Sequence, residues 1–90
     1  MSDQARAHLR IYGRVQGVFF RANTRKQSQR RGLTGWVENL ADGSVEAIIE
    51  GPREKVEEVV EWAKQGPPRA NVEDLNVDWE EPKASFRRSR

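Results

Sequence analysis

Near the start of the chain Ala7, Leu9, Ile11 and Gly13 alternate with His8, Arg10, Tyr12 and Arg14. A period of two sends successive side chains to opposite faces, so this run predicts a first strand with one buried face. Arg14-Val15-Gln16-Gly17-Val18 is too short for an element and is broken by Gly17, which predicts a loop. Residues 20–31 predict a helix stopped by Gly32, although its stripe of Phe20, Thr24, Ser28 and then Arg31 is small and polar rather than oily. Residues 35–40 and 44–50 are strand-like and flank Ala41-Asp42-Gly43, the signature of a β-hairpin. Gly51-Pro52 ends the second run, and Pro52 suits the first turn of a helix, where its missing N–H has no partner to lose. Val56, Val59, Val60 and Ala63 then fall at i, i+3, i+4 and i+7, the apolar face of an amphipathic helix. Glu54 near its start and Lys64 near its end both suit the helix dipole, and Gly66-Pro67-Pro68 stops it. Leu75, Val77 and Trp79 alternate with Asn76, Asp78 and Glu80, predicting the last clear strand.

A βαββαβ order with short connections predicts an α+β, ferredoxin-like sandwich: a four-stranded antiparallel sheet with two helices on one face. One domain is expected over residues 1–90, with its core in roughly 6–86 and a basic tail at 83–90. That fold hosts RNA binders, metabolite sensors, metal carriers and small enzymes, so it leaves function open.

Composition narrows the chemistry. The chain has no Cys, which excludes a disulfide framework, a thiolate nucleophile and a Cys metal site. His8 is the only histidine and cannot form a cluster, and Glu54, Glu57, Glu58 and Glu61 lie mostly on a solvated helix face without His partners, so no metal site is expected. No run of about 18 apolar residues exists to span a membrane, and Met1–Arg6 lacks the apolar core of a signal peptide. A cytoplasmic location is therefore expected. The net charge of +2 conceals an uneven distribution: +7 over residues 1–32, −9 over 33–82 and +4 over 83–90. A basic first third suits an anionic partner, although most such residues in any chain are solvated surface.

Gly13-Arg14-Val15-Gln16-Gly17-Val18-Phe19-Phe20-Arg21 runs from a strand into a helix N-terminus. Backbone N–H groups there lack helical partners and the dipole is positive, so the segment can cradle an anion. Two glycines let the backbone bend and approach a ligand, and the Arg21 guanidinium can fork onto a tetrahedral anion. The same residues also fit an ordinary surface loop with a solvated Arg. No Gly-Lys-Ser/Thr follows, so this is not a Walker A loop.

The segment resembles the first signature of the acylphosphatase family, G-R-V-Q-G-V-x-[FY]-R, at every fixed position. Gly35-Trp36-Val37-Glu38-Asn39, Asp42-Gly43-Ser44-Val45 and Gly51 are similar to the second, G-[FYW]-V-x-N-x-x-D-G-x-V followed by Gly. The resemblance covers roughly residues 6–86. It implies hydrolysis of carboxyl-phosphate mixed anhydrides to a carboxylate and inorganic phosphate, with no metal or cofactor. It also implies roles. Arg21 matches the catalytic Arg that holds the phosphoryl group. The backbone N–H groups of Val15, Gln16, Gly17, Val18, Phe19 and Phe20 match the phosphate cradle. Asn39 matches the Asn that orients the attacking water; read alone, it fits a turn residue before Asp42-Gly43 better than a catalytic one. A short fifth strand around Phe86 is implied as well, with Arg88 where the family commonly has Ile or Val. Glu38, Ser28 and Arg31 also depart from the usual pattern; strand alternation points Glu38 away from Asn39.

The implied partners are a small acyl phosphate as substrate and inorganic phosphate as product and inhibitor; no membrane or nucleic-acid partner is expected, and the chain is taken by default as a monomer. The alternative is a non-catalytic anion- or RNA-binding ferredoxin-like module. Phe19-Phe20 beside Arg21 faintly resembles a base-stacking motif, but such motifs need aromatics at alternate positions on a central strand.

Overall fold

The first alternation builds the central strand of the sheet. The computed structural model describes residues 3–83 and contains β1 (Gln4–Arg14), α1 (Phe20–Arg30), β2 (Thr34–Asn39), β3 (Val45–Pro52), α2 (Arg53–Ala63) and β4 (Asn71–Glu80). The strands lie in the order β2-β3-β1-β4, with every neighbouring pair antiparallel. This is the expected ferredoxin-like arrangement. The fifth strand around Phe86, and Arg88 with the rest of the basic tail beyond Lys83, lie outside the described residues.

Strand β1 begins earlier than its alternation predicts, because Ala5 extends the buried series with a side chain too small to register as a signal. Ala7, Leu9 and Ile11 pair with Ile49, Ala47 and Val45 on one side and with Trp79, Val77 and Leu75 on the other. This face shares one core with Phe20 of α1 and with Val56, Val59, Val60 and Ala63 of α2. Pro52 serves as the residue before α2 rather than in its first turn: it still pairs with Gln4, and the Arg53 N–H donates to the Asp3 carbonyl at 2.8 Å.

Helix α1 buries the polar stripe that its sequence suggests, Phe20, Thr24 and Ser28. Thr24 Oγ1 donates to the Phe20 carbonyl at 2.8 Å, whereas Ser28 Oγ is buried without a partner. The Phe20 ring packs on Trp62 with centroids 5.4 Å apart. Gly66, at φ 70°, lies so close to this ring that any side chain there would collide with it.

The open face of the sheet is ionic. Arg6 pairs with Glu50 at 3.0 Å and Glu80 at 3.1 Å, His8 Nε2 meets Glu46 at 2.6 Å, and Arg10 meets Asp42 at 2.9 Å. Arg31 reaches across to Glu58 of α2 at 2.7 Å and holds that carboxyl below its ordinary range. Of the basic first third, Arg6, Arg10 and Arg31 are therefore paired within the fold.

Candidate active site

Near its end strand β1 is kinked at a glycine. The β1–β4 register shifts between Tyr12 and Gly13, and at φ 121° a Cβ on Gly13 would run into the backbone of Asn71 and Glu73. The chain then alternates inward and outward: Val15, Val18 and Phe20 are buried, while Gly17, Phe19 and Arg21 face out. Gly17 has φ 76° and open space around it, so its requirement is conformational and leaves room for a ligand. Phe19 precedes α1 at φ 65°, ψ 23°, with no side-chain cap and no acidic residue in the first turn.

Consequently none of the backbone N–H groups from Gln16 to Ala22 donates to a protein acceptor among the described residues. An uncapped helix start with its dipole uncompensated favours an anion. Val15 differs from the rest of the cradle implied by the resemblance, since its N–H donates to the Gly13 carbonyl at 3.0 Å.

Asn39 is the last residue of β2 and pairs with Val45, whose other neighbour Ile11 is in the core, so Asn39 lies on the helix side of the sheet. Glu38 pairs with Glu46 on the open face, as strand alternation requires. Asn39 lines a cleft of about 180 Å³ with Val15, Gly17, Phe19, Phe20, Arg21 and Ala22. Among the described residues Arg21 forms no ion pair and the Asn39 amide makes no hydrogen bond. Among the described residues no carboxylate or imidazole lines the cleft.

The sequence gives no sign of what holds the two halves of the cleft together. Gln16 Nε2 donates to the Leu40 carbonyl at 2.8 Å and to the Ser44 carbonyl at 2.9 Å, fastening the cradle loop to the turn that follows Asn39. Arg10 Nε donates to Ser44 Oγ at 2.8 Å and its Nη2 to Asp42. The Ser44 hydroxyl, then the Ser44 N–H, then Arg10 hold the Asp42 carboxyl below its ordinary range. The Asp42-Gly43-Ser44 part of the second signature is thus the brace of the site. Phe19 and Phe20 form no stacking platform, since one is 71% exposed and the other 1%.

The acylphosphatase family model matches residues 7–89. The chain belongs to the acylphosphatase family. An acylphosphatase of Pyrobaculum islandicum is 55% identical over 85 residues, covering 93% of this chain and 90% of that one. One from Thermococcus kodakarensis is 57% identical over 79 residues, covering 88% and 87%. The structure of an acylphosphatase from Coxiella burnetii superposes with a TM-score of 0.85 at 38% identity, covering 90% of this chain and 85% of that one. Within this family fold the cleft offers a cation, a row of unused N–H donors and an amide, which suits binding and positioning rather than proton abstraction.

Proposed function

We propose that Arg21, the loop N–H groups and Asn39 together carry the hydrolysis of acyl phosphates. The chain is a hydrolase that splits carboxyl-phosphate anhydrides into carboxylate and inorganic phosphate. The observation supporting these roles is the cleft that joins a guanidinium, loop N–H groups and an amide, none of which has a protein partner among the described residues. Arg21 and the N–H groups of the loop, Gln16 to Phe20 foremost, bind the phosphoryl oxygens and offset the charge that spreads over them. The Asn39 carbonyl oxygen accepts a hydrogen bond from a water and aims it at phosphorus. The water oxygen bonds to phosphorus, the bond to the acyl oxygen breaks, and its electron pair leaves with the carboxylate. The water's proton passes to a phosphoryl oxygen. The leaving carboxylate is a weak base, so neither a general acid nor a metal is required.

The same reading treats residues 1–90 as one domain working as a cytoplasmic monomer. Its continuous core supports the first point, and no helix among the described residues is long and apolar enough to cross a membrane. Phosphate release from acetyl phosphate in EDTA tests the reaction. Arg21→Ala is expected to lower kcat/KM by about 10³-fold and Asn39→Ala by about 10²-fold, with folding retained. Turnover that disappears in EDTA, or survives both substitutions, contradicts the proposal.

A further inference from the structure

Phe19 is the side chain of the site that these roles leave unused. It is the only described non-glycine residue at positive φ, a conformation unfavourable to a bulky L-residue, and it is 71% exposed. Neither the strain nor the exposure helps the fold, and strain that persists marks a site of function. The conformation is held in place: Asn23 donates its N–H and its Nδ2 to the Phe19 carbonyl at 3.0 and 2.9 Å.

Phe19 lines two hollows. One is the cleft with Arg21 and Asn39; the other, of about 380 Å³, is lined by Val18, Phe19, Pro67 and Pro68 together with Asn23 and Arg69. The topology separates this hollow from Asn39. Asn39 ends the edge strand β2, whereas residues 67–69 lead into β4 at the opposite edge, and the cradle loop lies between them.

In-line displacement requires the attacking water and the departing oxygen on opposite sides of phosphorus. With the water on Asn39, which rests on the reading above, the carboxylate departs with its electron pair toward Phe19. We propose that Phe19, with Val18, Pro67 and Pro68, forms the acyl-group subsite, and that it selects acyl phosphates with apolar, planar acyl groups. A hydrocarbon increment held against such a wall changes selectivity by one to two orders of magnitude.

The test compares kcat/KM for benzoyl phosphate and acetyl phosphate. Each variant's ratio is divided by that of the wild type, which cancels the intrinsic reactivities. Phe19→Asn keeps a residue tolerant of this backbone conformation. It is expected to lower the benzoyl-to-acetyl ratio about tenfold, mainly through a raised KM for benzoyl phosphate, while Phe19→Tyr preserves the ratio. An unchanged ratio in Phe19→Asn, with both substrates still hydrolysed, overturns the subsite. So does a ratio that moves instead in Arg25→Gln, which would place the acyl group in the groove between α1 and β2. Absence of turnover of both substrates by the wild-type protein overturns the hydrolytic roles and the subsite together.

Discussion

Helices α1 and α2 are each eleven residues long and share one core, yet their N-termini are built in opposite ways. Helix α2 follows Pro52, carries Glu54 in its first turn and buries four apolar side chains. Helix α1 follows a strained Phe19, has no acid in its first turn and buries two hydroxyl residues beside a single Phe. The arrangement in α2 is what stability alone would favour: a carboxylate against the dipole and an apolar stripe against the sheet. Neither helix has a side-chain cap, but the start of α1 also omits the carboxylate, at the cleft that Arg21 and Asn39 line. The first N–H groups of α1 have no protein acceptor among the described residues, and its dipole is uncompensated by a first-turn carboxylate.

Because Phe20 is the one large apolar anchor of α1, Phe20→Ala should be the most damaging change to the fold, costing about 3–5 kcal/mol in urea unfolding. A smaller loss would mean that α1 is held mainly by the loop and not by its core contact. Making α1 resemble α2 is a sharper intervention. Ala22→Glu puts a carboxylate in the bare first turn; it should stabilise the helix by about 0.3–1 kcal/mol while lowering kcat/KM about 10²-fold, because the new charge competes with the phosphoryl group. Loss of both stability and activity would indicate distortion, and loss of neither would place the anion elsewhere. Ser28→Ala removes a buried hydroxyl that lacks a partner and should be neutral to stabilising by up to about 1 kcal/mol in thermal unfolding. The smallest effect concerns pH. Asp42 has its carboxyl held below its ordinary value when folded, so its stabilising contribution is present above the unfolded value and is lost as pH falls through the folded one. Acid unfolding of Asp42→Asn should accordingly show a flatter pH dependence than the wild type.

Sequence periodicity reads the fold well where side chains are large. Leu9 and Ile11 mark β1, the Val56 to Ala63 series marks α2, and Leu75 to Trp79 marks β4. It weakens where the buried residues are small or polar: Ala5 hides the start of β1, and Thr24 and Ser28 blur α1. The site divides in a similar way. Glycine spacing and a helix start single out the loop and Arg21 as a candidate anion cradle, with an ordinary surface loop as the competing reading. Asn39 is not legible in this way, because its place in the cleft comes from a register that sets it beside a loop far earlier in the chain, and only the family signature singles it out. The Gln16 amide and the αL backbone of Phe19 depend on long-range contact and on dihedral angles, neither of which a residue pattern carries.

The central claim is that the bare start of α1, together with Arg21, is the phosphoryl site. Titrating inorganic phosphate while recording backbone amide chemical shifts tests it most directly. The expected result is saturable shifts concentrated at residues 16–22 and at the Asn39 side chain, abolished in Arg21→Ala. Shifts that stay linear, or that spread over the outer basic residues of α1 and persist in Arg21→Ala, would contradict it.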